Sequence, residues 1–123
     1  MVKIVLATSN PHKLEEINAI NTNKKIVFEV IKGEFNPEEN GKTFEENAVI
    51  KAKAAAEIAK TYCLADDSGL CIDALEGAPG IFSSRYAPTQ TEKINKILKE
   101  MFAVPYDDRT AHFECSMVLV DGK

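Results

Sequence analysis

Val2-Lys3-Ile4-Val5-Leu6-Ala7, followed at once by Thr8-Ser9-Asn10-Pro11-His12-Lys13, decides the fold. The first six residues are mostly apolar and β-branched, the pattern of a strand buried on both faces. Asn10 followed by Pro11 reads as a helix N-cap with proline at the first helical position. Leu14, Ile17 and Ile20 then supply one apolar helical face up to about Asn23. A buried strand that turns directly into a helix is the opening of an α/β unit.

The same alternation continues outward from this stretch. Residues 26–31 read as a second strand and residues 33–42 as a polar, acidic loop. Thr43-Phe44-Glu45-Glu46 fits a capping box, in which the hydroxyl and the Glu46 carboxylate each bond the other's backbone amide. Phe44, Ala48, Ala52, Ala55 and Ala59 recur at helical spacing, giving a narrow face that can lie close on a sheet. A third strand is predicted over residues 62–65 and a short extended piece over 71–75, before the turn Gly77-Ala78-Pro79-Gly80. Thr89-Gln90-Thr91-Glu92 is a second capping box, leading into Ile94, Ile97, Leu98, Met101 and Phe102 on one helical face. Residues 109–120 alternate as a long strand, and Asp121-Gly122-Lys123 reads as a hairpin turn with no returning strand after it.

The chain of 123 residues predicts one domain, 1–123, of α/β class. Its 45% hydrophobic content suffices for a core, and no run approaches a membrane span. The N-terminus lacks the layout of a signal peptide, which predicts a cytoplasmic protein. Fifteen basic against nineteen acidic residues, net charge −4, argue against a general nucleic-acid binder. Cys63, Cys71 and Cys115 show neither disulfide nor metal-ligand spacing and read as buried free thiols. His12 and His112 read as ordinary polar positions, without partners at triad or zinc spacing.

Ala65-Asp66-Asp67-Ser68-Gly69-Leu70 carries the chemistry. Two adjacent carboxylates after an apolar run are costly to desolvate unless something compensates them, and a metal is the simplest compensation. If the strand persists through Asp67, alternation sends the two side chains to opposite faces. Either the pair holds a cation or it belongs to a solvated turn before Gly69. In residues 8–13, the free amides at the helix start, the hydroxyls of Thr8 and Ser9, and Lys13 could cradle a phosphate. The plain reading is a βα turn capped by Asn10. Glu38 and Glu39 offer further carboxylates, while Lys51 is expected to face water and Arg85 either phosphate or an acidic neighbour.

Taken together, these motifs resemble the inosine triphosphate pyrophosphatase family of noncanonical purine nucleoside triphosphatases. The resemblance is carried by residues 6–13, Thr43-Phe44-Glu45-Glu46-Asn47-Ala48, residues 65–70, Asp73-Ala74-Leu75-Glu76-Gly77-Ala78-Pro79-Gly80 with Ser83-Ser84-Arg85-Tyr86, and Ala111-His112-Phe113-Glu114-Cys115. It implies a mixed central sheet flanked by helices, a homodimer, and magnesium-dependent hydrolysis of ITP, dITP or XTP to monophosphate and pyrophosphate. It implies Asp67 as proton acceptor and Mg2+ ligand, and Glu38 as a second metal ligand. Thr8, Ser9, Asn10, Pro11, His12, Lys13 and Ser68 would bind the substrate. The family's later Phe-Gly-Tyr-Asp-Pro and Ser-His-Arg segments do not occur here, so the resemblance is to a chain lacking the C-terminal part. A Maf-like pyrimidine nucleotide pyrophosphatase, or a catalytically silent fragment that binds nucleotide or a partner chain, are the other readings.

Overall fold

The computed structural model describes residues 1–122; Lys123, the last residue of the expected hairpin turn, lies outside them. The regular elements run β1 (Val2–Leu6), α1 (Pro11–Ile20), β2 (Ile26–Val30), α2 (Phe44–Ala59), β3 (Tyr62–Ile72), α3 (Gln90–Glu100) and β4 (Ala111–Asp121). Short 3-10 turns occupy Asp73–Leu75, Gly80–Arg85 and Tyr106–Asp108. The strands form one mixed sheet in the order β2-β1-β3-β4. Both β2 and β3 are parallel to β1, with Leu6 beside Val30 on one side and beside Leu64 on the other. The start of β3 meets the end of β4 through Gly122 N–H to Thr61 O, and its end meets the start of β4 through Asp73 N–H to Thr110 O. That pairing makes β4 antiparallel.

The chain divides into two compact units, one of Met1–Asp66 with residues 116–122 and the other Asp67–Cys115. In the first, Val5 from β1, Ala7 just after it, Ala52, Ala55 and Ala56 from α2, and Cys63 and Ala65 from β3 build the core, closed by Ile31 and Phe35. The alanine face works as expected: Ala48, Ala52 and Ala55 are fully buried, so the helix backbone comes close to the sheet.

Half of the first capping box forms as drawn. Glu46 N–H donates to Thr43 Oγ1 at 3.1 Å, but the Glu46 carboxylate accepts from Lys42 N–H instead of Thr43 N–H. The bond moves one residue back and still ties the loop to the first turn of α2. At α3, Thr89 Oγ1 accepts from Glu92 N–H at 3.1 Å. The helix expected to reach Asn23 stops at Ile20, because Asn21 leaves helical geometry and bonds outward, its Nδ2 to Ile26 O and its Oδ1 to Asn23 N–H.

The expectation of a strand over residues 62–65, a glycine turn and a separate extended piece fails. Strand β3 runs unbroken from Tyr62 to Ile72 through Asp66, Asp67, Ser68 and Gly69. In the second unit, Leu70 N–H donates to Ser83 Oγ, Ile72 N–H donates to Ala78 O, and Met101 is buried. The rest of the apolar face predicted for α3 is not covered in the same way: Ile94 and Leu98 are about half exposed and Phe102 is 87% exposed.

Candidate functional site

The turn between β1 and α1 is held by its own side chains. Thr8 Oγ1 accepts from Asn10 N–H at 3.1 Å, and Asn10 Oδ1 caps the helix by accepting from His12 N–H at 3.0 Å. Two amides expected to greet a phosphate are therefore engaged in capping, which corrects the expectation of a row of free donors. The Thr8 hydroxyl keeps its own O–H to donate. Ser9, Pro11 and His12 are exposed, and His12 Nδ1 lies 3.3 Å from Glu15 Oε2.

Lys13 turns inward and meets Asp66. Its ammonium donates to Asp66 Oδ1 at 2.9 Å and to Oδ2 at 2.7 Å, a partly buried pair. Lys51, on α2, donates to the Asp66 backbone carbonyl and stands 3.6 Å from Glu39 Oε1. Sequence reasoning sent Lys51 to water; in the fold it is half-buried and braces Asp66. A cavity of about 150 Å³ opens here, lined by Leu6, Ala7, Thr8, Lys13, Asp66 and Met117 among others. It is smaller than the roughly 300–1,000 Å³ that enclose a whole small ligand, but it brings a hydroxyl and an ammonium to one place at the start of a helix, the donor set a phosphate group needs.

Glu38 lies exposed in the loop before α2. That loop is anchored at Phe35, which is buried in the core, and at Gly41, whose N–H donates to the buried Asn47 Oδ1 at 2.8 Å. A Cβ on Gly41 would fall 2.6 Å from Asn47 Oδ1 and 2.7 Å from Glu46 Cβ, so only glycine lets the loop approach the helix this closely.

Asp67 and Ser68 open the second unit. With β3 continuous, Asp67 points to the face opposite Asp66, and its Oδ2 is shielded from solvent. Ser68 lines a cavity of about 390 Å³ with Leu70, Pro79, Ser83, Tyr86 and Ile97 among others, large enough for a small ligand. Arg85 stacks over the Phe82 ring at 5.6 Å, a cation–π contact that neither sequence reading of this arginine included. Cys63 and Cys71 are buried as expected, and burial pushes both thiols up, with the charges of Glu114 and Asp73 adding at Cys71. Cys115 is exposed, against expectation, since its side of β4 is not packed.

This combination, a mixed sheet with a capped βα turn facing an aspartate-bearing strand, defines an α/β protein. Residues 4–123 match the model of the Ham1 family. The chain is 48% identical to a dITP/XTP pyrophosphatase of Treponema denticola over 95% of its own length and 63% of that protein. It is 47% identical to a protein of the same name from Vibrio cholerae, over 98% of this chain and 62% of that one. The solved structure of a HAM1 protein from Coxiella burnetii superposes with a TM-score of 0.86 at 42% identity, covering 98% of this chain and 64% of that chain. The protein belongs to the Ham1 family, and it spans about 63% of the length of the curated relatives it matches.

Proposed function

We propose that the protein is a nucleoside triphosphate pyrophosphatase that splits deaminated purine nucleotides, dITP, XTP and ITP, between the α and β phosphorus, cleansing the nucleotide pool. The observation that carries this reading is the Thr8, Lys13 and Asp66 arrangement at the start of α1. The relatives' name, dITP/XTP pyrophosphatase, supports the substrate class.

In this reading residues 8–13 bind the triphosphate, with the Lys13 ammonium and Thr8 O–H offsetting its charge. Asp66, whose two oxygens are taken up by Lys13, sets the position of that ammonium. Asp67 is the proton acceptor that orients the attacking water. Ser68 contacts the substrate from the wall of its own cavity. Carboxylates are hard oxygen donors suited to Mg2+, and the shielded Asp67 Oδ2 fits that role; Asp67 and Glu38 are each assigned as metal ligands. When bound, the ion supplies positive charge against the phosphates. A homodimer in the cytoplasm completes the proposal.

The test is pyrophosphate release from dITP, XTP and ITP, beside ATP and GTP, with and without Mg2+. Selective release that falls by roughly 10²–10⁴ in Asp67→Asn, with unchanged circular dichroism, is the expected result. A folded chain that binds these nucleotides without turning them over would sink the enzyme reading and leave a nucleotide-binding protein. Sedimentation that stays monomeric at high concentration would remove the dimer.

A further inference from the structure

A second cluster of ligating side chains lies wholly within the Asp67–Cys115 unit. Cys71 on β3 and His112 and Glu114 on β4 bring a thiol, an imidazole and a carboxylate together, with one donor atom of each within 4.8 Å of the others. His112 Nε2 lies 3.1 Å from Glu114 Oε1. The topology explains the convergence. His112 and Glu114 are two residues apart on one strand and so share a face, and the antiparallel neighbour supplies Cys71. Spacing along the chain gave no hint of it, because Cys71 and His112 are remote in sequence and meet only through the pairing of β3 with β4.

We propose that Cys71, His112 and Glu114 form a binding site for one Zn2+ ion. Three chemically different donors converge here, which distinguishes the site from a solvated acidic patch. A thiolate and an imidazole favour zinc over magnesium or calcium, which take oxygen ligands. Three protein ligands with water in the fourth position is an open zinc coordination. Zinc–sulfur bonds of about 2.3 Å and zinc–nitrogen bonds of about 2.0 Å place tetrahedral donors roughly 3.5 Å apart. With every donor within 4.8 Å of the others, no pair has to close by much more than about an ångström, a movement open to the His112 and Glu114 side chains, each about half exposed. Cys71 Sγ is the fixed donor, since the residue is buried. Binding replaces the His112–Glu114 contact with two metal bonds, and the thiol proton of Cys71 passes to solvent as the Zn–S bond forms. The nearby Asp73 carboxylate is already held by the Thr110 hydroxyl at 2.6 Å, which leaves the fourth position to water. The bound ion clamps the end of β3 to the start of β4. None of Thr8, Lys13, Glu38, Asp67 or Ser68 takes part, so this site stands or falls apart from the pyrophosphatase reading.

The experiment is a titration of the purified, reduced chain with Co2+ as a spectroscopic probe, followed by displacement with Zn2+. One equivalent of Co2+ should give a thiolate-to-cobalt charge-transfer band that Zn2+ abolishes and Mg2+ does not. The band should disappear in Cys71→Ser and persist in Cys115→Ser. His112→Ala and Glu114→Gln, at exposed positions, should each weaken Zn2+ binding by at least roughly 10–100-fold. They carry the test if Cys71→Ser proves unfolded by circular dichroism. A wild-type chain with no thiolate band would overturn the proposal, as would a band that survives Cys71→Ser and vanishes in Cys115→Ser.

Discussion

The Lys13 ammonium sits 2.9 and 2.7 Å from the two carboxylate oxygens of Asp66, joining the first turn of α1 to the middle of β3. A second lysine, Lys51, holds the same residue by its backbone carbonyl. Asp66 is thus fixed from two helices, and a change there registers in the fold before it registers in any chemistry.

Asp66→Asn should lower stability by about 1–2 kcal/mol. The variant leaves the Lys13 ammonium partly buried without its charged acceptor, and the partial exposure of the pair keeps the loss below that of a fully buried ion. Urea unfolding should show a lower midpoint with an unchanged slope. An unchanged midpoint would mean that the pair adds nothing to the fold.

Gly41→Ala should cost about 1–3 kcal/mol, since the new methyl would overlap Asn47 Oδ1 and Glu46 Cβ. Thermal unfolding of the variant checks this. Gly33→Ala is not an equivalent control, because Gly33 has φ +83 and any side chain is strained there.

The neighbours Glu38 and Glu39 should separate. Glu39 pairs with Lys51 across a half-buried gap of 3.6 Å, so Glu39→Gln should reduce stability by up to about 1 kcal/mol. Glu38→Gln should leave the melting temperature alone. In an active preparation it should raise the Mg2+ concentration needed for half-maximal pyrophosphate release by about 10-fold. The reverse pattern would transfer the metal role to Glu39.

Tyr86 gives a pH signature. Its hydroxyl donates to Glu100 Oε1, and that bond, helped by desolvation and by the carboxylate charge, pushes the phenol from its ordinary 10 up to about 12. The proton-bearing form is the one the fold favours, so the contribution is complete below pH 10 and is lost as pH rises from 10 to 12. Ultraviolet titration should show one tyrosine ionising near 12, and Glu100→Gln should bring that step down. A titration indifferent to the substitution would separate the two groups in solution.

What could be read from the chain was what is local. The Asn10 cap, the alanine face of α2 and the threonine caps at residues 43 and 89 depend on neighbours within a few positions, and the structure has them. The run Asp66-Asp67-Ser68-Gly69 misled, because aspartate and glycine are poor strand formers and only pairing with distant strands keeps the backbone extended. The bracing of Asp66 by Lys13 and Lys51 was equally hidden, since helical periodicity shows which face a lysine occupies but not what stands opposite. Cys71 and His112 read as plain positions, and Glu114 carries no reading of its own, for the same reason: their meeting is a product of sheet topology.

The loop that carries Glu38 is shorter in effect than it is in sequence. Phe35 is sunk in the core at one end and Gly41 is tied to Asn47 at the other, so only residues 36–40 lie between those anchors, and within them Glu39 is itself held by Lys51. Ordering a residue costs roughly 1–2 kcal/mol of conformational entropy. Drawing Glu38 toward a ligand therefore freezes only that brief arc, and most of the disorder such a loop would have to surrender was already given up when the chain folded.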